Sequence, residues 1–157
     1  WYYEMLELGY HYRITDIQCA LALSQLKKLD KFIARRNQLA KYYREKIKDI
    51  DFLKPAQIES NFLSSNHIFP VRINFCKLKK ERNDLMIYLR QKSIFTQVHY
   101  IPIPIHPFYK KMGYNEKEFN NNMKYFNEAL TLPLYYQLKN EQVDYVLESL
   151  KKFFKDC

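Results

Sequence analysis

The 157-residue, 19.2 kDa chain suffices for one compact domain, or a domain with an arm, and its 47% apolar content, with 14 Tyr and 11 Phe, supplies a substantial core. No stretch approaches the roughly 18 uninterrupted apolar residues of a membrane span, and Trp1-Tyr2-Tyr3-Glu4 lacks the basic-then-apolar order of a secretory leader. A formal charge of +9 attracts anions, which leaves nucleic acid, a membrane surface or a sugar diphosphate as partner classes.

Cys19, Cys76 and Cys157 are an odd number at wide spacings, with no Cys-x-x-Cys and no His-x-x-x-His pair. That pattern predicts neither a disulfide framework nor a zinc site, but buried thiols at Cys19 and Cys76 in a reducing cytoplasm. With only Gly9 and Gly113, the chain cannot build a glycine-rich phosphate cradle. Trp1 in place of an initiating Met predicts a piece of a longer product.

Thr15-Asp16-Ile17-Gln18 reads as a capping box that opens a helix. Leu26, Leu29, Ile33, Arg36, Ala40, Tyr43, Ile47 and Ile50 follow at alternating steps of three and four, which places them on one face. A continuous helix from Asp16 to Ile50 would be roughly 50 Å long, too long for a small domain to cover. Part of its stripe is therefore expected to meet another domain or subunit. Ten Lys/Arg against four acids between Lys27 and Lys54 form either a solvated face or an anion-attracting one.

His67 to Phe75 predicts a strand with Phe69, Val71, Ile73 and Phe75 facing inward, and Pro70 argues for an edge position or a bulge. A helix over Lys79–Gln91 buries Leu85, Met86 and Leu89, and a second strand spans Ile94–Tyr100. Pro102, Pro104 and Pro107 then enforce an extended loop. Phe119, Met123, Phe126 and Leu130 give another helix, broken by Leu132-Pro133-Leu134. Asn140 caps a last one carrying Val143, Val146, Leu147, Leu150 and Phe153. Strands flanking a helix, with further helices stacked beside a small sheet, predict α+β packing.

Polar groups gather where these elements end. Gly9-Tyr10-His11-Tyr12-Arg13 precedes a helix N-terminus, where free N–H groups favour anions. Ser64-Ser65-Asn66-His67 delivers a histidine to a strand start, as a structural hydrogen-bonding residue or as a ligand contact. Gln97-Val98-His99-Tyr100 meets the proline loop, and strand alternation predicts that His99 and Tyr100 face opposite sides.

In this order Gly9–Leu26, Asn66–Val71, Gln97–Pro102 and Glu128–Tyr135 resemble the DegT/DnrJ/EryC1/StrS sugar aminotransferases over essentially the whole chain, most of all the branch serving pseudaminic acid biosynthesis. The resemblance implies an aspartate aminotransferase-like, pyridoxal-phosphate (PLP) type I fold. Residues 1–50 would be the end of its large domain with the long connecting helix, and residues 51–157 its small C-terminal α+β domain. It further implies a homodimer that acts on a UDP-linked 4-keto-6-deoxy sugar with glutamate as amino donor, with neither nucleic acid nor membrane as partner. His11, standing where relatives carry Asn, and Arg13 would lie near the cofactor; His67, His99 and Tyr100 would contact substrate. Pro104 stands where many relatives have a second His, and Ser93 where a glycine is common. No catalytic residue and no metal ligand is assigned, because the family's cofactor lysine belongs to an upstream segment, and the chain alone is expected to be inactive. The residues by themselves leave two alternatives, a non-catalytic dimerisation or ligand-binding module and a basic nucleic-acid-binding domain.

Overall fold

The computed structural model describes residues 1–57 and 61–155; Cys157 lies outside them. Residues 1–15 form an extended arm without helix or strand, ending at the expected capping box. Gln18 N donates to Thr15 Oγ1 at 3.3 Å and Thr15 N donates to Gln18 Oε1 at 2.9 Å, so the first turn has partners for otherwise orphaned donors.

The expected single long helix is two: α1, Asp16–Leu26, and α2, Leu29–Ile47, parted by a turn at Lys27–Lys28. Leu26-Lys27-Lys28-Leu29 holds neither Gly nor Pro and is rich in good helix formers, so propensity carries no sign of the break. The stripe divides with the helices. Ala40, Tyr43, Ile47 and Ile50 are buried, whereas Leu26 and Leu29 are exposed, and α1 buries no residue at all.

A three-stranded antiparallel sheet lies beside α2: β1, Lys54–Pro55, then β2, Phe69–Arg72, then β3, Ala129–Leu132, in the order β1-β2-β3. Phe69, Val71, Ile73 and Phe75 all turn inward as their alternation predicts. The expected edge position of Pro70 is incorrect, since β2 is the central strand. Ala56 N donates to Pro70 O at 3.2 Å, but proline has no N–H to return the bond, so pairing with β1 ends there. The predicted strand Ile94–Tyr100 contributes only a single bridge, Gln97 to Thr131.

The other helices are α3, Phe75–Leu78; α4, Arg82–Gln91; α5, Pro107–Lys111; α6, Asn120–Glu128; and α7, Asn140–Lys155. Cys76 sits in α3 and is exposed, contrary to the expected buried thiol, and Cys19 is half-exposed. The helix expected to run to Leu130 stops at Glu128, and the chain passes directly into β3, where Leu130 is fully buried. The α6–β3 junction is clasped by Arg82, which donates to the carbonyls of Phe126 and Ala129, and by Arg72, whose Nε donates to Glu128 Oε2 at 2.8 Å. At the start of α7 the capping partner is Lys139 rather than Asn140. Lys139 N donates to Gln142 Oε1 at 2.9 Å, and its carbonyl accepts from Val143.

Side chains from α2, β2, β3, α4 and α7 close one apolar cluster. Tyr43 lies at its centre, fully buried, stacked on Phe69 at 4.7 Å and donating to Pro133 O at 3.0 Å. Ser93, in the glycine-like position, has φ of 58°. Ile94 N bonds Leu89 O and Ser93 N bonds Arg90 O, both at 2.9 Å, which is a Schellman ending to α4 with serine in the left-handed place. Ser93→Gly should therefore raise stability by about 1 kcal/mol, read as a higher urea midpoint with unchanged slope.

Burial pushes the Tyr43 phenol well above its ordinary value of 10.0. The folded state thus holds that proton more tightly than the unfolded chain does. The resulting stability is complete below about pH 10 and declines as pH climbs toward the folded value. Urea midpoints measured between about pH 9 and 11 should fall for the wild type and fall less steeply for Tyr43→Phe.

Candidate functional site

His67 is delivered by a segment strapped to α2. Arg36 Nε donates to Ser65 O at 2.9 Å, and Asn37 Nδ2 donates to Ser64 O at 3.0 Å. Asn66, 4% exposed, donates from Nδ2 to Asn37 Oδ1 at 2.8 Å and from its backbone N to Ser64 Oγ at 3.1 Å. Its φ of 44° is a left-handed conformation that Asn adopts more readily than most residues. The following His67 is thrown outward. It is exposed and lines a cleft of about 160 Å³ with Arg44, Asn66, Phe69 and Pro70. Arg44 stands 5.4 Å over the Phe69 ring, and burial lowers its guanidinium below the ordinary value.

His99 and Tyr100 follow the Gln97–Thr131 bridge. Their rings meet edge to face at 4.5 Å and 82°, so the expected placement on opposite sides is incorrect. Ladder pairing stops at Gln97, and beyond it the alternation of a strand no longer applies. His99 is half-buried, its Nδ1 lies 2.8 Å from Thr131 Oγ1, and its carbonyl accepts from Tyr125 Oη at 3.3 Å. Tyr100 is 69% exposed. Among the described residues, His99 Nε2 and Tyr100 Oη have no hydrogen-bond partner in the protein. Both are free to meet a ligand.

His11 and Arg13 lie on the exposed arm and share no hydrogen bond, ion pair or ring contact with His67, His99 or Tyr100. Within one chain the structure brings His99 and Tyr100 together and leaves the other three candidates apart. As donors, the imidazole of His11 and the guanidinium of Arg13 suit the phosphate of a group such as PLP. No glycine cradle encloses one, since a Cβ at Gly9 or Gly113 would meet nothing within 4 Å. Sequence reasoning missed Thr131 and the Asn37–Asn66 pair. The first sits in a strand taken for a helix end; the second joins residues 29 apart with no local signal.

The arrangement of connecting helix, small sheet and flanking helices is that of the C-terminal small domain of PLP-dependent aminotransferases. The structure of Spr1654, a candidate sugar aminotransferase of Streptococcus pneumoniae, superposes with a TM-score of 0.89 at 28% identity, covering 99% of this chain and 39% of that one. The profile of the DegT/DnrJ/EryC1/StrS aminotransferase family matches residues 1–151, and the chain belongs to that family. It is 34% identical to the spore coat polysaccharide biosynthesis protein SpsC of Bacillus subtilis, over 99% of this chain and 40% of that protein. To a UDP-4-amino-4,6-dideoxy-N-acetyl-β-L-altrosamine transaminase of Campylobacter jejuni it is 30% identical, over 96% of this chain and 39% of the relative. The chain thus spans about two fifths of the length of the curated relatives it matches.

Asn37→Leu would leave the Ser64 carbonyl and Asn66 Nδ2 without their partners in a part-buried site. A loss of about 1–3 kcal/mol in urea unfolding is expected, together with faster amide exchange over residues 64–67.

Proposed function

We propose that this chain forms the small-domain part of a PLP-dependent aminotransferase that converts a UDP-linked 4-keto-6-deoxy sugar to its 4-amino sugar with glutamate as donor. One observation carries the reading: in a chain of this family, the neighbouring His99 and Tyr100 present polar atoms that the fold itself does not use. The UDP-linked sugar in the name of the Campylobacter relative supports the substrate class, and a charge of +9 suits a diphosphate.

In this reading Tyr100 offers its ring and phenol to the sugar nucleotide, His99 offers a ring nitrogen, and His67 adds a contact from its own cleft beside Arg44. His11 and Arg13 reach the cofactor phosphate of a partner subunit in a homodimer. Bound PLP supplies the electron sink for transamination. The lysine that anchors it lies outside these 157 residues. Residues 1–50 belong with the large domain and connecting helix, and residues 51–157 form the small domain. Exposed Trp1, Tyr3, Leu6, Leu8, Ile17 and Leu21 give the arm and α1 an apolar face for the rest of the enzyme to cover.

The isolated chain, given PLP, glutamate and the UDP-4-keto sugar, is expected to form no amino sugar. Joined to the N-terminal three fifths of the Campylobacter transaminase, it should turn over, and His99→Ala in that fusion should lower kcat/KM by roughly tenfold to a hundredfold. Amino-sugar formation by the isolated chain, or salt-steep binding to generic DNA in preference to UDP, would overturn the proposal.

A further inference from the structure

We infer that Thr131 holds His99 in the tautomer protonated at Nε2, which makes His99 a hydrogen-bond donor to an acceptor oxygen of the ligand. The inference rests on the reading of His99 as a ligand contact, and adds which atom makes that contact and in which tautomer.

Thr131 cannot adjust its position to suit the ring. Its backbone N donates to Gln97 O at 2.7 Å, its carbonyl accepts from Gln97 N at 3.3 Å, and its other side is in register with Pro70 of β2. The residue is 8% exposed. Among the described residues, Oγ1 has one hydrogen-bond partner, His99 Nδ1 at 2.8 Å. Two proton arrangements fit that distance. Were Nδ1 protonated, it would donate to Oγ1, and the hydroxyl proton of the buried Thr131 would be left without an acceptor among the described residues. With the hydroxyl donating to Nδ1, every donor at the contact is satisfied and only lone pairs go unused. Orphaned buried donors are the rarer and more costly case. Thr131 is therefore the donor, Nδ1 the acceptor, and the proton of the neutral ring stands on Nε2.

The ring is held from two further directions. Tyr125 Oη donates to the His99 carbonyl, and the Tyr100 ring abuts the imidazole edge to face. Nε2 is left as the one polar ring atom facing outward from a half-buried residue. A general base needs a bare nitrogen aimed at the proton it removes, and this ring presents N–H. The complementary ligand group is an acceptor oxygen: a sugar hydroxyl, a carbonyl or a phosphate. In this scheme Thr131 is a positioning residue that acts through His99.

The test needs only the 157-residue chain, with ¹⁵N-labelled histidine observed near pH 8, where an ordinary imidazole is neutral. Thr131→Val keeps the β-branched shape suited to a strand and removes the hydroxyl, whereas Thr131→Ser keeps the hydroxyl. Wild type and T131S should show one species protonated at Nε2. In T131V both ring nitrogens should shift toward the averaged values of a freely exchanging imidazole. A wild-type signal protonated at Nδ1, or a T131V spectrum identical to wild type at an unchanged urea midpoint, would overturn the role of Thr131. Added UDP should shift the Nε2 proton of the wild type. If it leaves that proton unmoved while the tautomer result holds, the ligand contact is wrong and the tautomer assignment stands.

Discussion

Four register pairs between β2 and β3, from Phe69–Leu132 to Arg72–Ala129, set the geometry on which the remaining features depend. They bring Val71 and Leu130 into one core and place the Arg72–Glu128 ion pair at one end of the ladder. At the other end they set Thr131 beside Pro70, with its outer edge free to bridge Gln97. A slip of one residue would turn Phe69 and Val71 away from Tyr43 and aim Thr131 at the wrong face. The same slip would separate His99 from its hydroxyl partner. Packing and site are therefore coupled through a ladder of only four residues, which is why α6 runs into β3 without a loop and Arg82 grips both sides of the junction.

Burial is uneven along the chain. Between Leu39 and Phe154 the buried apolar side chains form one cluster, and buried Asn66 and Thr131 have hydrogen-bond partners, although Thr96 Oγ1 is buried without one and Leu63, Phe95 and Phe108 stay exposed. From Trp1 to Leu29 the large apolar side chains are exposed, and α1 stands on its capping box and backbone bonds alone. A helix of 11 residues with no buried face is marginal in water. A stretch this apolar and this bare is what a covering surface would complete, and relatives of more than twice this length provide room for one.

Much of this was legible because strong local patterns dominated. Thr15 and Gln18 announce α1; Phe69, Val71, Ile73 and Phe75 alternate cleanly; and the stripe through Val143, Val146, Leu147 and Leu150 is nearly all core. What escaped depends on tertiary context. The break at Lys27–Lys28 occurs between residues that favour helix, so nothing local marks it. β3 is four residues long and buried on both faces, which erases alternation and let Leu130 pass for a helical position. Pro70 suggested an edge; its missing donor instead falls where a two-residue partner strand ends. Among the site residues, His99 and Tyr100 were found through the polar block they share. Thr131 and Asn37 were not, because each acts through a contact at least 29 residues away in sequence.

Which polar atoms the fold leaves unused is a sharper guide to function than which polar residues it contains. Arg72 and Arg82 are cations at the ends of elements and Arg36 lies within α2, and each is engaged by a carbonyl or a carboxylate. Tyr42 and Tyr43 are phenols, as Tyr100 is, yet one donates to Asp144 and the other to Pro133. Among the candidate site residues, subtracting such groups leaves the ring atoms of His67, Nε2 of His99 and the hydroxyl of Tyr100. Two of these share an edge-to-face contact. A surface whose free groups can all donate, set in a chain of net charge +9, is chemically matched to ligands rich in oxygen acceptors. Sugar nucleotides meet that description through hydroxyls, carbonyls and phosphates alike. The hydroxyl of one buried threonine keeps the histidine within that donor set.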